Sequence, residues 1–302
     1  MAPIISANQL RKAAQNRRFG VDKKRSENSS LTEEQFTVID EEIFVMAQYG
    51  LITAEVFGTD VVGPLGPGKE KYKYNELQDQ TGAVIEMGYG GDWDNIDLIE
   101  RSKDIPVIQD KFRLKRRKLE ASQTAGEALD VTSARAAGSA IRDKEEEFLL
   151  IGGEKWDGLY NGAGLTTAAT GDFGTAGKAL DTVVAAINLM KTQKIKGPYN
   201  LIGFPTQITE ISKNLLTGGK SEEEMILKVL QGGRIMECDQ FTAGTLLVLT
   251  VPGRKYYEML VGQDLTTEDF ELPEKTGNGL RAFLMKATLI RDSNALCKIT
   301  GA

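Results

Sequence analysis

Ile195-Lys196-Gly197-Pro198-Tyr199-Asn200-Leu201-Ile202, then Gln231-Gly232-Gly233-Arg234-Ile235, then Pro252-Gly253, then Leu260-Val261-Gly262-Gln263-Asp264-Leu265 is the series that governs the reading of this 302-residue chain. Tyr199 to Phe204 is a short apolar run halted by Pro205, the pattern of a buried strand. Ahead of it, a helix over 178–194 is expected to turn Leu180, Val183, Val184 and Ile187 inward. Two more helices are expected over 206–216 and 221–231, the second opened by Ser221 with Glu224 at its third position. Strands over 245–251 and 255–262 are expected to be joined by Pro252-Gly253 in a type II turn, and strands over 282–290 and 295–299 follow. The segment is compact α/β.

Toward the N-terminus the texture changes. Leu31-Thr32-Glu33-Glu34-Gln35-Phe36 is a helix start, with Thr32 and Gln35 as a capping box and Leu31 stapled onto Phe36. Phe36, Ile39, Ile43 and Ala47 then share one helical face until Gly50. Residues 57–108 hold many glycines, Pro64, Pro67 and Pro106, and alternating stretches such as Lys71-Tyr72-Lys73-Tyr74, which together read as a long open β-hairpin. An isolated hairpin is marginal in water, so it must lie on this chain or on a neighbour. Ile108 to Glu120 reads as a charged strand, with Phe112 and Leu114 alternating against Lys111, Arg113 and Lys115. A long helix follows, capped by Thr124 and Glu127, with Ala134, Ala137, Ile141 and Phe148 as its apolar seam up to Gly152-Gly153.

Charge and composition narrow the chemistry. Residues 1–25 carry Arg11, Lys12, Arg17, Arg18, Lys23, Lys24 and Arg25 against Asp22, a balance of +6, while the other 277 residues carry −12. The chain has no histidine, which excludes His-dependent catalytic triads and the commonest metal ligand. Cys238 and Cys297 lack metal-ligand spacing, and no disulfide scaffold is expected; a reducing cytoplasmic setting fits. No apolar run approaches the roughly 20 residues of a membrane span, and the first residues lack a signal-peptide core.

The motifs that suggest chemistry read more plainly as structure. Gly219-Lys220-Ser221 imitates the end of a phosphate loop, but the first glycine of that pattern is Asn214 here, and the segment joins two helices. Glu145, Glu146 and Glu147 fan around a helix rather than converge, which points to a solvated face or a subunit contact. Glu222, Glu223 and Glu224 fall in a first helical turn, where the dipole favours acids. Trp93 is expected to anchor the hairpin region on an adjacent subunit, with ligand stacking as the alternative. The seven cations of the arm suit neighbouring subunits or nucleic-acid phosphates alike, with a solvated tail as the third reading. No catalytic, cofactor-binding or metal-binding residue is assigned.

Between Leu31 and Ile299 the chain resembles the capsid fold of tailed viruses, the Hong Kong 97 type, in its encapsulin-like branch. The resemblance is carried by Leu31-Thr32-Glu33-Glu34-Gln35-Phe36-Thr37-Val38-Ile39-Asp40, Val61-Val62-Gly63-Pro64-Leu65-Gly66, Ile105-Pro106-Val107-Ile108, the helix exit from Gly152 to Leu165, and the series from Gly197 to Leu265. It implies an α+β subunit with an arm (1–30), an N-terminal helix (31–56), an extended loop (57–108), a peripheral domain with a spine helix (109–151) and an axial domain (152–302) whose last strands return to the peripheral one. It further implies a non-enzymatic subunit that assembles with itself, as pentamers and hexamers, into an icosahedral shell. Its 30-residue basic arm and Phe36, where encapsulins generally have tryptophan, favour the major capsid protein of a virion around double-stranded DNA, with scaffold, portal or cement proteins as further partners. The alternative is a cytoplasmic encapsulin nanocompartment around cargo enzymes.

Overall fold

In the computed structural model, residues 31–78, 97–115, 131–216, 219–271 and 277–301 are described. The first helix, α1 (Glu33–Gln48), begins where its capping box predicts: the Thr32 hydroxyl accepts from the Gln35 N–H, and the Gln35 side chain accepts from the Thr32 N–H. Its buried residues are Phe36, Ile39, Ile43 and Ala47, the predicted face. After the short α2 (Thr53–Phe57) and β1 (Val61–Val62), strands β2 (Lys71–Gln78) and β3 (Asp97–Asp104) pair antiparallel as the expected hairpin. Strand β4 (Val107–Lys115) then leads to α3 (Thr132–Glu146), extended by a π-helical turn over Glu147–Ile151. Val131 precedes α3 without a side-chain cap, and the predicted Thr124/Glu127 box lies outside the described residues.

Strand β9 (Tyr257–Glu271) pairs antiparallel with β10 (Gly277–Ile290) in a long ribbon, the centre of a four-stranded sheet ordered β1-β9-β10-β4. The ribbon outruns the expected strands, which stop at 262 and resume at 282. Its far half carries Asp264, Glu268, Asp269 and Arg281, which interrupt the apolar pattern; Arg281 sits directly opposite Glu268 and is ion-paired with it. Helix α3 lies across this sheet and α1 lies on α3. Together they enclose Leu31, Phe36, Ile39, Ile43, Ile108, Leu114, Ala134, Ile141, Leu280 and Leu284. Gly138 permits the α1–α3 approach, because a Cβ there would meet the Ile43 carbonyl oxygen at 2.7 Å.

The other sheet has five strands: β5 (Leu165–Ala168), β6 (Tyr199–Gly203), β7 (Ile235–Glu237), β8 (Thr245–Thr250) and β11 (Leu296–Thr300), ordered β5-β11-β8-β6-β7. It is covered on both faces, so β8 can read as a continuous apolar run. Leu246 and Val248 face α4 (Lys178–Thr192), α5 (Pro205–Lys213) and α6 (Glu222–Val229), whereas Leu247 and Leu249 face Val56, Phe57, Leu149, Leu150 and Leu159. Helix α4 buries Ala179, Thr182, Val183, Ala186, Ile187 and Met190, while Leu180 and Val184, expected inward, are half-buried. The helix is rolled so that the line 179–183–186–190 meets the sheet, which leaves Leu180 and Val184 on its flanks, Leu180 still packed against the same cluster. The Pro252-Gly253 turn also differs from expectation. It links β8 to β9 across two different sheets, Gly253 lacks the positive φ of a type II turn, and the Tyr256 N–H bonds back to the Gly253 carbonyl at 2.8 Å.

Two acidic runs expected at the surface are partly interior. Glu145, 2% exposed, is ion-paired with Lys286 of β10, and Glu146, 7% exposed, accepts the Ile52 N–H at 2.6 Å; only Glu147 turns out to solvent, paired with Lys144. Glu222 is fully buried and accepts from Leu180 N–H at 2.8 Å and Asn214 Nδ2 at 2.9 Å. It supplies the cap that Gly177, ahead of α4, cannot. Glu222→Ala strands the Leu180 N–H and takes one of the two acceptors of Asn214 Nδ2, which keeps the Phe173 carbonyl at 2.7 Å; it is expected to cost about 2 kcal/mol by urea unfolding, while Glu222→Gln, keeping an acceptor for Leu180, costs less.

Candidate assembly surfaces

The hairpin base rests on its own chain. Tyr72 and Tyr74 stack with ring centroids 6.4 Å apart and pack on a cluster of Ile105, Leu260, Met285, Ala287 and Leu289. The Arg291 guanidinium, held by Glu258 at 3.0 Å, lies 5.2 Å from the Tyr74 ring. Cross-strand ion pairs Lys71–Asp104, Lys73–Glu100 and Glu76–Arg101 run along the hairpin in solvent. Exposed pairs of this kind are screened by water and add little stability, so their effect is on register and on keeping the edges polar. Burial holds the Lys103 ammonium below its ordinary range, opposed by Asp157 and Asp104. Among the described residues β2 and β3 pair only with each other.

Strand β4 is likewise an edge, paired among the described residues only with β10. Beside its start a groove of about 470 Å³ runs between Pro106, Val107 and Ile108 on one wall and Ala140, Ile141 and Lys144 of α3 on the other. Phe148 and Trp156 close it, edge to face at 6.0 Å. Val107 remains 48% exposed on its rim. Open edges and a partly apolar rim suit contact with other copies.

No three of His, Cys, Asp and Glu come together in a metal-binding arrangement among the described residues, and no described helix is long and apolar enough to cross a membrane. Cys238 and Cys297 are buried thiols pushed up to about 11, chiefly by burial, and are inert at neutral pH. The phosphate-loop imitation resolves as the α5–α6 turn, where the Ser221 hydroxyl caps α6 by accepting from the Glu224 N–H. The proposed contacts Arg11, Lys12, Arg17, Arg18, Lys23, Lys24, Arg25 and Trp93 all lie outside the described residues. Trp156, Lys103 and the Tyr72–Tyr74 pair were not singled out by the sequence as contact residues; the tyrosines' alternation at 71–74 was the one available signal.

The family described as encapsulating protein for peroxidase, Linocin_M18, matches residues 22–278. The chain belongs to this encapsulin family. It is similar to the type 1 encapsulin shell protein EncA of Myxococcus xanthus, 24% identical over 275 residues that make up 90% of this chain and 94% of EncA. Its fold matches a virus-like particle protein from Pyrococcus furiosus, with a TM-score of 0.67 and 16% identity over 89% of this chain and all of that one. The capsid protein of the Myoviridae phage XM1 follows, with a TM-score of 0.63 and 15% identity over 84% of this chain and 92% of that one. The fold is the Hong Kong 97 capsid type, and the encapsulin is a shell-forming, capsid-like protein. The tailed-virus reading drawn from the arm gives way here, because both family and curated relative are encapsulating proteins, and the fold is common to phage and compartment.

Glu146 offers a titration test of this architecture. Burial is the main cause that raises its carboxyl above 4.5, with Asp143 and Glu145 adding to it and the Ile52 N–H and Arg142 opposing. A raised carboxyl means the folded chain holds that proton more tightly than the unfolded chain. The group therefore costs nothing below about pH 4.5 and erodes stability as pH rises through the raised value. Glu146→Gln, which still accepts from Ile52, is expected to raise the melting temperature at pH 7 and to lose that advantage by pH 4 in scanning calorimetry.

Proposed function

We propose that this chain is the shell subunit of an encapsulin nanocompartment: copies assemble, through pentamers, into a closed icosahedral shell in the cytoplasm and enclose cargo enzymes, with peroxidases the class suggested by the family description. The observation that carries the reading is the family match over 22–278, which takes in α1, the hairpin, α3 and every strand up to β9. In this reading residues 57–108 are the extended loop, 109–151 the peripheral domain with α3 as spine, and 152–302 the axial domain with strands returning to the peripheral one. Interfaces of ordinary size, on the order of 800 Å² per partner, repeated around closed rings would hold the shell, and the subunit itself performs no chemistry.

Cryo-electron microscopy of purified particles tests it. Closed shells with protein cargo or an empty interior are expected, and a neighbouring gene should encode an enzyme with a docking tail. A densely packed double-stranded DNA interior with terminase and portal genes nearby would restore the virion reading, in which the basic arm meets phosphates. Trp93→Ala is expected to reduce the assembled fraction in size-exclusion chromatography while the subunit's circular dichroism is retained; equal loss of both would make Trp93 a folding residue.

A further inference from the structure

At one end of the five-stranded sheet, three loops carry seven cations between them and no acid of their own. The loops meet there. The Tyr199 N–H bonds to the Leu230 carbonyl at 2.9 Å, the Leu201 N–H to the Arg234 carbonyl at 2.8 Å, and the Thr250 hydroxyl to the Lys196 carbonyl at 2.8 Å. The first loop, after α4, brings Lys191, Lys194 and Lys196; the second, after α6, brings Lys228 and Arg234; the third, after β8, brings Arg254 and Lys255. Segments 191–198, 227–234 and 250–257 contain no aspartate or glutamate. The chain as a whole has a net charge of −6, so this concentration runs against its own composition.

Helix ends account for part of it. Lys191 and Lys228 lie in the last turns of α4 and α6, where a cation complements the dipole. The other cations have no such reason. Arg234 reaches Glu55 only at 3.7 Å, with its side chain 65% exposed, and Arg254, 93% exposed, reaches Glu258 at 4.0 Å. Glu258 is already held by Arg291. Lys194 and Lys196 are exposed, and Lys255 lies over the Tyr256 ring. The two non-glycine residues with positive φ among those described, Lys194 at 61° and Gln231 at 58°, both belong to these loops. Positive φ outside glycine is uncommon, and such positions collect where a loop's shape is used.

We propose that this loop cluster is a binding surface for phosphate-chain polyanions. Its charges are spread over three loops rather than gathered into a pocket, which suits a string of phosphates rather than a single ion. The loops present no open aromatic ring, since Tyr199 is buried and Tyr256 is half-buried beneath Lys255, so recognition runs through phosphates and is blind to bases. An acidic protein segment is the competing partner.

The test uses the full chain, in a background where the seven arm cations are neutralised to glutamine so that the arm does not report. Fluorescence anisotropy follows a short single-stranded oligodeoxynucleotide, with inorganic polyphosphate and poly-glutamate as competitors. The variant Lys194→Asn, Lys196→Gln, Arg254→Gln keeps residues suited to each backbone. Neutralising Lys155, Lys213 and Lys220 is the control; these are exposed elsewhere. The loop variant is expected to lose at least tenfold in affinity and about 2 from the log–log salt slope, at roughly 0.7 per phosphate contact, with the control unchanged. Polyphosphate is expected to compete as well as the oligonucleotide does. An unchanged affinity and slope in the loop variant, or an equal loss in the control, would overturn the proposal. Stronger competition by poly-glutamate would overturn it in favour of an acidic protein segment. Oligonucleotide binding that polyphosphate cannot displace would also overturn it, because bases would then be read. The outcome does not depend on what the shell encloses.

Discussion

The pairing of β9 with β10 is the constraint on which the rest of the subunit depends. Two strands, α3 and the hairpin attach to that ribbon, by backbone pairing, by a buried ion pair and by apolar packing respectively. Strand β4 adds to its outer edge by backbone hydrogen bonds, and β1 adds parallel to Met259 and Leu260. Helix α3 is fixed from above by the buried Glu145–Lys286 pair and by the Thr288 hydroxyl donating to the Leu149 carbonyl. The hairpin is fixed by Tyr72 and Tyr74 on Leu260, Ala287 and Leu289. A buried ion pair adds little stability compared with apolar packing, but losing one partner strands the other, so Glu145 and Lys286 hold α3 to one position on the sheet. Register shifts around Met285 bend the ribbon near Gly262, where Ile105 closes on it.

Glycines then join segments far apart in sequence. Gly63 sits where a Cβ would be 2.2 Å from the Val261 carbonyl oxygen, and the next residues continue the contact as Leu65 N–H to Val261 O and Gly66 N–H to Gly262 O, each 2.9 Å. Gly233 sits where a Cβ would be 1.5 Å from the Tyr199 carbonyl oxygen. The two turns that open onto the hairpin and onto β7 are therefore seated directly on backbone, with no side chain between. Such contacts fix where the hairpin leaves the sheet, while among the described residues its strands pair only with each other.

Much of this was legible because it is local. Thr32, Gln35 and the Phe36–Ile39–Ile43–Ala47 face specify α1 through capping and a single period. Ser221 specifies the start of α6 in the same way, and the apolar run of β8 announces a strand covered on both faces. What failed to show was set by partners distant in sequence. Glu146 and Glu222 look like surface acids, and only the Ile52 and Leu180 N–H groups make them interior. The far half of β9 looks like a charged loop until Arg281 stands opposite Glu268. Of the α4 residues expected inward, Val183 and Ile187 are buried, whereas Leu180 and Val184 sit on the flanks because the sheet sets how the helix is rolled.

The sequence by itself determined the element types, the spacing of the glycine turns and the membership of a shell-forming fold, because caps, periods and tight turns are written in neighbouring residues. Tertiary structure alone decided which acids are buried, that Pro252-Gly253 passes between sheets rather than within one, and that cations from three loops share one end of the five-stranded sheet. Those outcomes depend on desolvation and on charge summed over space, and neither quantity exists until distant segments have been brought together.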